Sequence, residues 1–181
     1  MTQTLAQLKE RFTLPTSKDA APGTPAKIDF QAGQGGLPSI VINSPLASAT
    51  IYLHGAHVTA WQPRGASPVL FMSQKSWFED GKPIRGGVPI CFPWFGPKAD
   101  DDKAPAHGFV RLKQWSLESV KELADGRIEV LLVTRDDEAS RKLWPFSFEL
   151  AHRVTVGRTL TMSLEMHNTG SVDCTYEAAL H

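Results

Sequence analysis

The side chains best suited to acid–base or nucleophilic chemistry in this sequence are six histidines and two cysteines. His54 and His57 flank Gly55-Ala56. A helical metal pair needs histidines at i and i+4 with an adjacent glutamate, and neither feature is present. The pair therefore reads as turn-flanking polar residues of a hairpin, and no metal site is expected. His152 and His167 are expected on the solvent side of their strands, pointing away from Leu150, Val154, Leu164 and Met166. His107, in Ala106-His107-Gly108-Phe109-Val110-Arg111, admits two readings. It is a polar group facing a cleft, with Gly108 allowing close backbone approach, or it hydrogen-bonds a loop carbonyl. Cys91 sits among apolar residues, which raise a thiol pKa, so it reads as core rather than as a nucleophile.

Arg85 precedes Gly86-Gly87, and Arg111 follows the His107-Gly108 turn. A planar guanidinium suits bidentate contact with phosphate or carboxylate, each charge-assisted hydrogen bond being worth about 1.5–3 kcal/mol. A surface salt bridge to Asp80, Asp100, Asp101 or Asp102 is the plainer alternative, worth about 0–1 kcal/mol, and local sequence favours it for each arginine taken singly. The glycines do not form a P-loop, and no nucleophile elbow is present. Phe92, Trp94 and Phe95, with Trp61 and Trp77 upstream, could stack on a sugar face, but most are expected in the core.

The elements that must position these residues are mainly strands. Leu5, Leu8 and Phe12 recur at helical spacing behind a Thr4/Gln7 capping box, and Pro15, Pro22, Gly23 and Pro25 make a connector. Beyond it helical periodicity is nearly absent. Strands are expected at 39–43, 49–54, 57–62, 69–72, 115–121, 127–135, 146–156, 159–168 and 172–180. Leu160, Met162, Leu164 and Met166 alternate with polar residues, as in a strand with one buried face. Short, regular antiparallel strands indicate a β-sandwich or barrel. Asp80–Gly108 breaks the pattern with a proline- and glycine-rich stretch, and such segments inside β domains often carry function.

The chain has 181 residues, enough for one domain or part of a larger one, with 19 Lys+Arg against 19 Asp+Glu. A neutral chain has no global field to attract nucleic acid or anionic membranes. Any bound anion must be met by a few local cations. Two cysteines make no disulfide framework. No signal peptide or membrane-length apolar run is evident, so a cytoplasmic location is expected. The sequence ends at Leu180-His181, inside a strand-like run, and reads as cut at its C-terminus.

Several ordered pieces then resemble the hexose-6-phosphate mutarotases, the glucose-6-phosphate 1-epimerase branch of the aldose 1-epimerase superfamily. They are Gly55–Trp61, the run from Asp80 to Gly96 with Arg85-Gly86-Gly87-Val88-Pro89, His107-Gly108-Phe109-Val110-Arg111, Leu143-Trp144-Pro145-Phe146, and Leu180-His181. The resemblance runs from about residue 44 onward. It implies an all-β, galactose mutarotase-like antiparallel sandwich, incomplete at its C-terminus and preceded by a short helix. Residues 1–26 would be helix and connector, and 27–181 the sandwich part.

The activity implied is interconversion of the α and β anomers of a hexose 6-phosphate, with no cofactor and a monomeric complete protein. His181 is the implied catalytic acid, and Arg85, Arg111 and His107 the implied substrate-binding residues. Ala106 departs from the family, where Gln is common before this histidine. The implied base is a glutamate beyond the chain's end; no glutamate here matches its motif. A non-catalytic carbohydrate-binding sandwich and an epimerase for unphosphorylated aldoses are the alternatives.

Overall fold

A computed structural model describes residues 3–12, 25–99 and 101–181. Helix α1 spans Leu5–Arg11, and Thr4 and Gln7 close the expected capping box. Its Leu8 is fully buried. Gln3 pins the helix to an edge strand: its side chain donates to Leu117 O (3.1 Å) and accepts from Leu117 N–H (2.7 Å). Most of the expected connector lies outside the described residues.

Two four-stranded antiparallel meanders follow. The first runs β1 (Lys27–Ala32), β2 (Pro38–Asn43), β3 (Ala47–Tyr52) and β4 (His57–Pro63), in that spatial order. A two-residue strand β5 (Ile90–Cys91) lies between the sheets in sequence. The second meander is β6 (Ser116–Glu122), β7 (Ile128–Arg135), β8 (Phe148–Val156) and β9 (Leu160–Asn168). Their inner faces form one core. Ile40, Ile42, Ile51 and Val58 come from one side, and Leu117, Val130, Leu132, Leu150 and Val154 from the other. The fold is the expected antiparallel β-sandwich. Among the described residues no helix is long and apolar enough to cross a membrane.

The departures have local causes. Helix α2 (Glu138–Leu143) was not expected; its six residues are too few to show periodicity, and it is announced only by Asp137, which caps it reciprocally with Ser140. β1 was also missed. Residues 69–72 form only an isolated bridge, Met72 to Gly86, and Val69 and Phe71 face solvent. Of 172–180 only β10 (Ala179–Leu180) is a strand, pairing antiparallel with β5. This segment lies along Pro89 and Pro93, which have no N–H to extend a ladder. It meets them only where Glu177 N–H reaches Pro93 O and His181 N–H reaches Pro89 O, both at 2.9 Å.

His152 corrects another expectation. It is fully buried, not solvated. Phe148, Leu150, His152, Val154 and Val156 share the inner face of β8. The ring is accommodated because Nδ1–H donates to Ala56 O at 3.2 Å, and burial holds its pKa down at about 4. His167 is exposed, as expected.

Candidate functional site

The irregular Asp80–Gly108 segment is fixed at both ends, and each end carries an arginine. At Arg85 the backbone N–H donates to Ser76 Oγ (2.8 Å), while its carbonyl accepts from Ser73 N–H (3.1 Å). At the far end, His107 N–H donates to Gly96 O (2.7 Å) and Gly96 N–H donates to His107 Nδ1 (3.0 Å). Nδ1 is thereby an acceptor, so the neutral ring carries its proton on Nε2. Gly108 has φ 73°, and a Cβ there would lie 1.8 Å from Phe92 O. Only glycine lets these backbones meet.

β10 then brings the last residue to this loop. The His107 and His181 rings lie 5.5 Å apart. Phe95 bridges them, edge-on to His107 at 4.7 Å and stacked with His181 at 5.6 Å. Phe95 is itself held by Glu177, whose carboxylate accepts its N–H at 2.8 Å. Desolvation, then Arg111 and His181, depress the His107 pKa, which favours the neutral ring.

Arg111 Nη2–H donates to Ala106 O (2.7 Å), whereas its buried Nε–H has no partner among the described residues. Burial lowers its pKa; the Cys91 thiol opposes this, and Arg85 adds to it. Neither arginine pairs with a carboxylate among the described residues, so the surface salt-bridge alternative finds no support there. Cys91 is buried with a raised thiol pKa, as a core residue should be. A cleft of about 580 Å³ opens beside Arg85, lined also by Lys75, Ser76 and Trp77. A larger one, about 670 Å³, lies by Lys113 and Arg135 and contains none of the four candidate residues. Of the four candidate residues only Arg85 lines the former.

The structure brings His107, Arg111 and His181 together at one end of the loop, while Arg85 stands near its other end beside a cleft that the other three do not line. Phe95 and Glu177 were missed as members. Most of the aromatic set Phe92, Trp94, Phe95, Trp61 and Trp77 is expected in the core; Phe92 and Trp94 are buried, but Phe95 is 47% and Trp77 64% exposed. The signal available was the Pro93 and Gly96 bracket, which interrupts strand alternation around Phe95. Among the described residues no three His, Cys, Asp or Glu side chains gather as a metal site.

In this antiparallel sandwich the irregular loop and the segments flanking it carry two arginines without carboxylate partners among the described residues and two histidines with adjacent rings, a candidate binding or acid–base site. The chain belongs to the aldose 1-epimerase family: the family model "Aldose 1-epimerase" matches residues 38–181. It is 39% identical over 175 residues to a protein of Escherichia coli named "Putative glucose-6-phosphate 1-epimerase", covering 96% of this chain and 55% of that one. The crystal structure of a "putative mutarotase" from Salmonella typhimurium superposes with TM-score 0.73 at 38% identity, covering 77% of this chain and 46% of that one. A galactose mutarotase-like protein from Clostridium acetobutylicum, 17% identical with TM-score 0.62 over 81% of this chain and 51% of that one, shares the fold. The chain spans about half the length of these proteins.

Proposed function

We propose that this chain is the part of a hexose-6-phosphate mutarotase that holds the substrate phosphate and donates the ring-opening proton. The whole protein would then be a glucose-6-phosphate 1-epimerase. The observation carrying this reading is that Arg85 and Arg111, on either side of the irregular loop, have no carboxylate partner among the described residues, and that the His107 and His181 rings meet 5.5 Å apart on the Arg111 side. Cations left without a carboxylate suit an anionic ligand, and a phosphate dianion matches two guanidiniums in charge and bidentate geometry. A neutral aldose would leave both unpaired, which disfavours the unphosphorylated substrate.

In this scheme the phosphate docks on Arg85 and Arg111, and His107 offers its Nε2–H to a sugar oxygen. His181 donates a proton to the ring oxygen as the C1–O5 bond breaks, while a carboxylate takes the proton of the anomeric hydroxyl. Rotation about C1–C2 and closure with the roles reversed yield the other anomer. The base is expected in the part of the relatives that this chain does not cover. We take residue 27, where β1 begins, as the domain's start, with 1–26 as an appended helix and connector. A cytoplasmic monomer fits a phosphorylated substrate that does not cross membranes unaided.

The test uses Arg85→Ala and Arg111→Ala in a protein carrying the whole family domain. Each should weaken glucose 6-phosphate far more than glucose, and His181→Asn should cut anomer exchange, read by NMR, by about 10²–10⁴-fold. Equal losses for both sugars would remove the phosphate assignment.

A further inference from the structure

The His54–His57 turn has no role in the scheme above, yet it touches both arms of the candidate site. His54 and His57 are each 1% exposed. His54 Nε2–H donates to Lys82 O, and His57 Nε2–H donates to Gly86 O, both at 2.7 Å. These two carbonyls bracket Arg85 in sequence. The same turn contacts the other arm: Gly55 N–H donates to Lys113 O at 2.8 Å. A Cβ on Gly55 would lie 2.9 Å from Arg111 O, and one on Gly87 would lie 2.9 Å from His57 Nε2. The turn is therefore wedged between the two segments that carry the arginines, at separations only glycine permits.

We infer that His57, assisted by His54, is a positioning residue that sets the spacing of Arg85 and Arg111 for a phosphate-bearing ligand. The inference rests on the phosphate reading of those arginines. A buried imidazole suits this task. It is rigid, its ring spans the gap from β4 to the loop, and its second nitrogen need not face water. Burial, with His54 and Arg111 also opposing protonation, keeps the His57 ring neutral, with a pKa of about 4. Neutral, it has one N–H, which the Gly86 carbonyl claims. Without that bond the carbonyl loses a buried donor and the Arg85-Gly86-Gly87 segment gains freedom, both weakening anion binding.

The probe is inorganic phosphate, titrated against the whole chain and followed by NMR. The variants are His57→Met, which keeps bulk but removes the donor, and His57→Gln, whose amide nitrogen can reach the position of Nε2. Phosphate affinity should fall about three- to tenfold in the first and return in the second, with faster amide exchange at 84–88 only in the first. Unchanged affinity and unchanged exchange in His57→Met would overturn the inference, as would equal losses in both variants. Should His57→Met not fold, imidazole ¹⁵N shifts of the unmodified chain decide: an Nε2–H tautomer supports the bond to Gly86, and an Nδ1–H tautomer refutes it. Arg85→Ala separates the two claims. If it leaves phosphate binding intact while His57→Met still loosens 84–88, the anion reading fails and the loop-holding role stands.

Discussion

Acid should unfold this protein through its buried histidines before its carboxylates titrate. His57 and His152 are both held near pKa 4, against 6.5 for a free histidine, mainly by burial. Between those values the unfolded chain binds two protons that the folded chain refuses. Stability is therefore complete above about pH 6.5 and is lost as pH falls toward 4. At 1.36 kcal/mol per pH unit for one proton, each histidine costs about 3 kcal/mol across the window, and the pair about 6–7 kcal/mol. That is comparable with the whole stability of an ordinary domain, about 5–15 kcal/mol. Urea unfolding followed by tryptophan fluorescence, from pH 8 to 4, should show a stability slope of about 2–3 kcal/mol per pH unit near pH 5. His57→Gln and His152→Asn, which preserve one amide donor each, should each remove about half of that slope. Stability that stayed level from pH 7 to 4.5 would refute the account. So would a slope unchanged in both variants.

Other expectations follow from the packing and the loop geometry. Gly108→Ala should lower the thermal midpoint sharply, because its Cβ would overlap Phe92 O and the residue needs φ 73°; a midpoint within a degree of the parent's would contradict the close approach. Phe148→Ala, in the ring cluster with Phe92, Phe109 and Trp144, should cost about 3–5 kcal/mol in chemical denaturation. Phe95→Ala and Glu177→Gln should leave stability nearly unchanged while slowing anomer exchange in the longer protein, since both act on the orientation of His107 and His181; a change in melting temperature without a change in exchange would make them merely structural.

The strands legible from sequence were those with an alternating or apolar face: β2, β3, β4, β6, β7, β8 and β9 all fall within a few residues of their expected spans. What escaped was what alternation does not encode. α2 depends on one cap, and 172–178 looked like strand by composition but lies against prolines that offer no donors. His152 is more instructive. The β8 register places it on the same face as Leu150 and Val154, so periodicity pointed inward. Treating histidine as a surface residue overrode that signal. The neutral ring's one N–H is met by the carbonyl of Ala56, in the turn between β3 and β4 of the opposite sheet, while its buried Nε2 has no partner among the described residues.

That contact also explains why the site itself was only half legible. Arg85, Arg111, His107 and His181 announce themselves by charge, titration range and neighbouring glycines. Their supports do not. Glu177 acts on Phe95 across 82 positions of sequence, His57 on Gly86 across 29, and His152 on Ala56 across 96. No local pattern links such partners; only the sandwich brings them within hydrogen-bond reach. The three histidines of the β3–β4 turn and β8 join one sheet to the other and to the Arg85 loop. Both rings held near pKa 4 remain uncharged at neutral pH, so their burial adds no positive charge to the interior. Lysine or arginine could not replace them there, since a buried cation beside Arg111 would leave an uncompensated charge. The neutral buried imidazole is thus a donor type compatible with the phosphate-binding role proposed for Arg85 and Arg111.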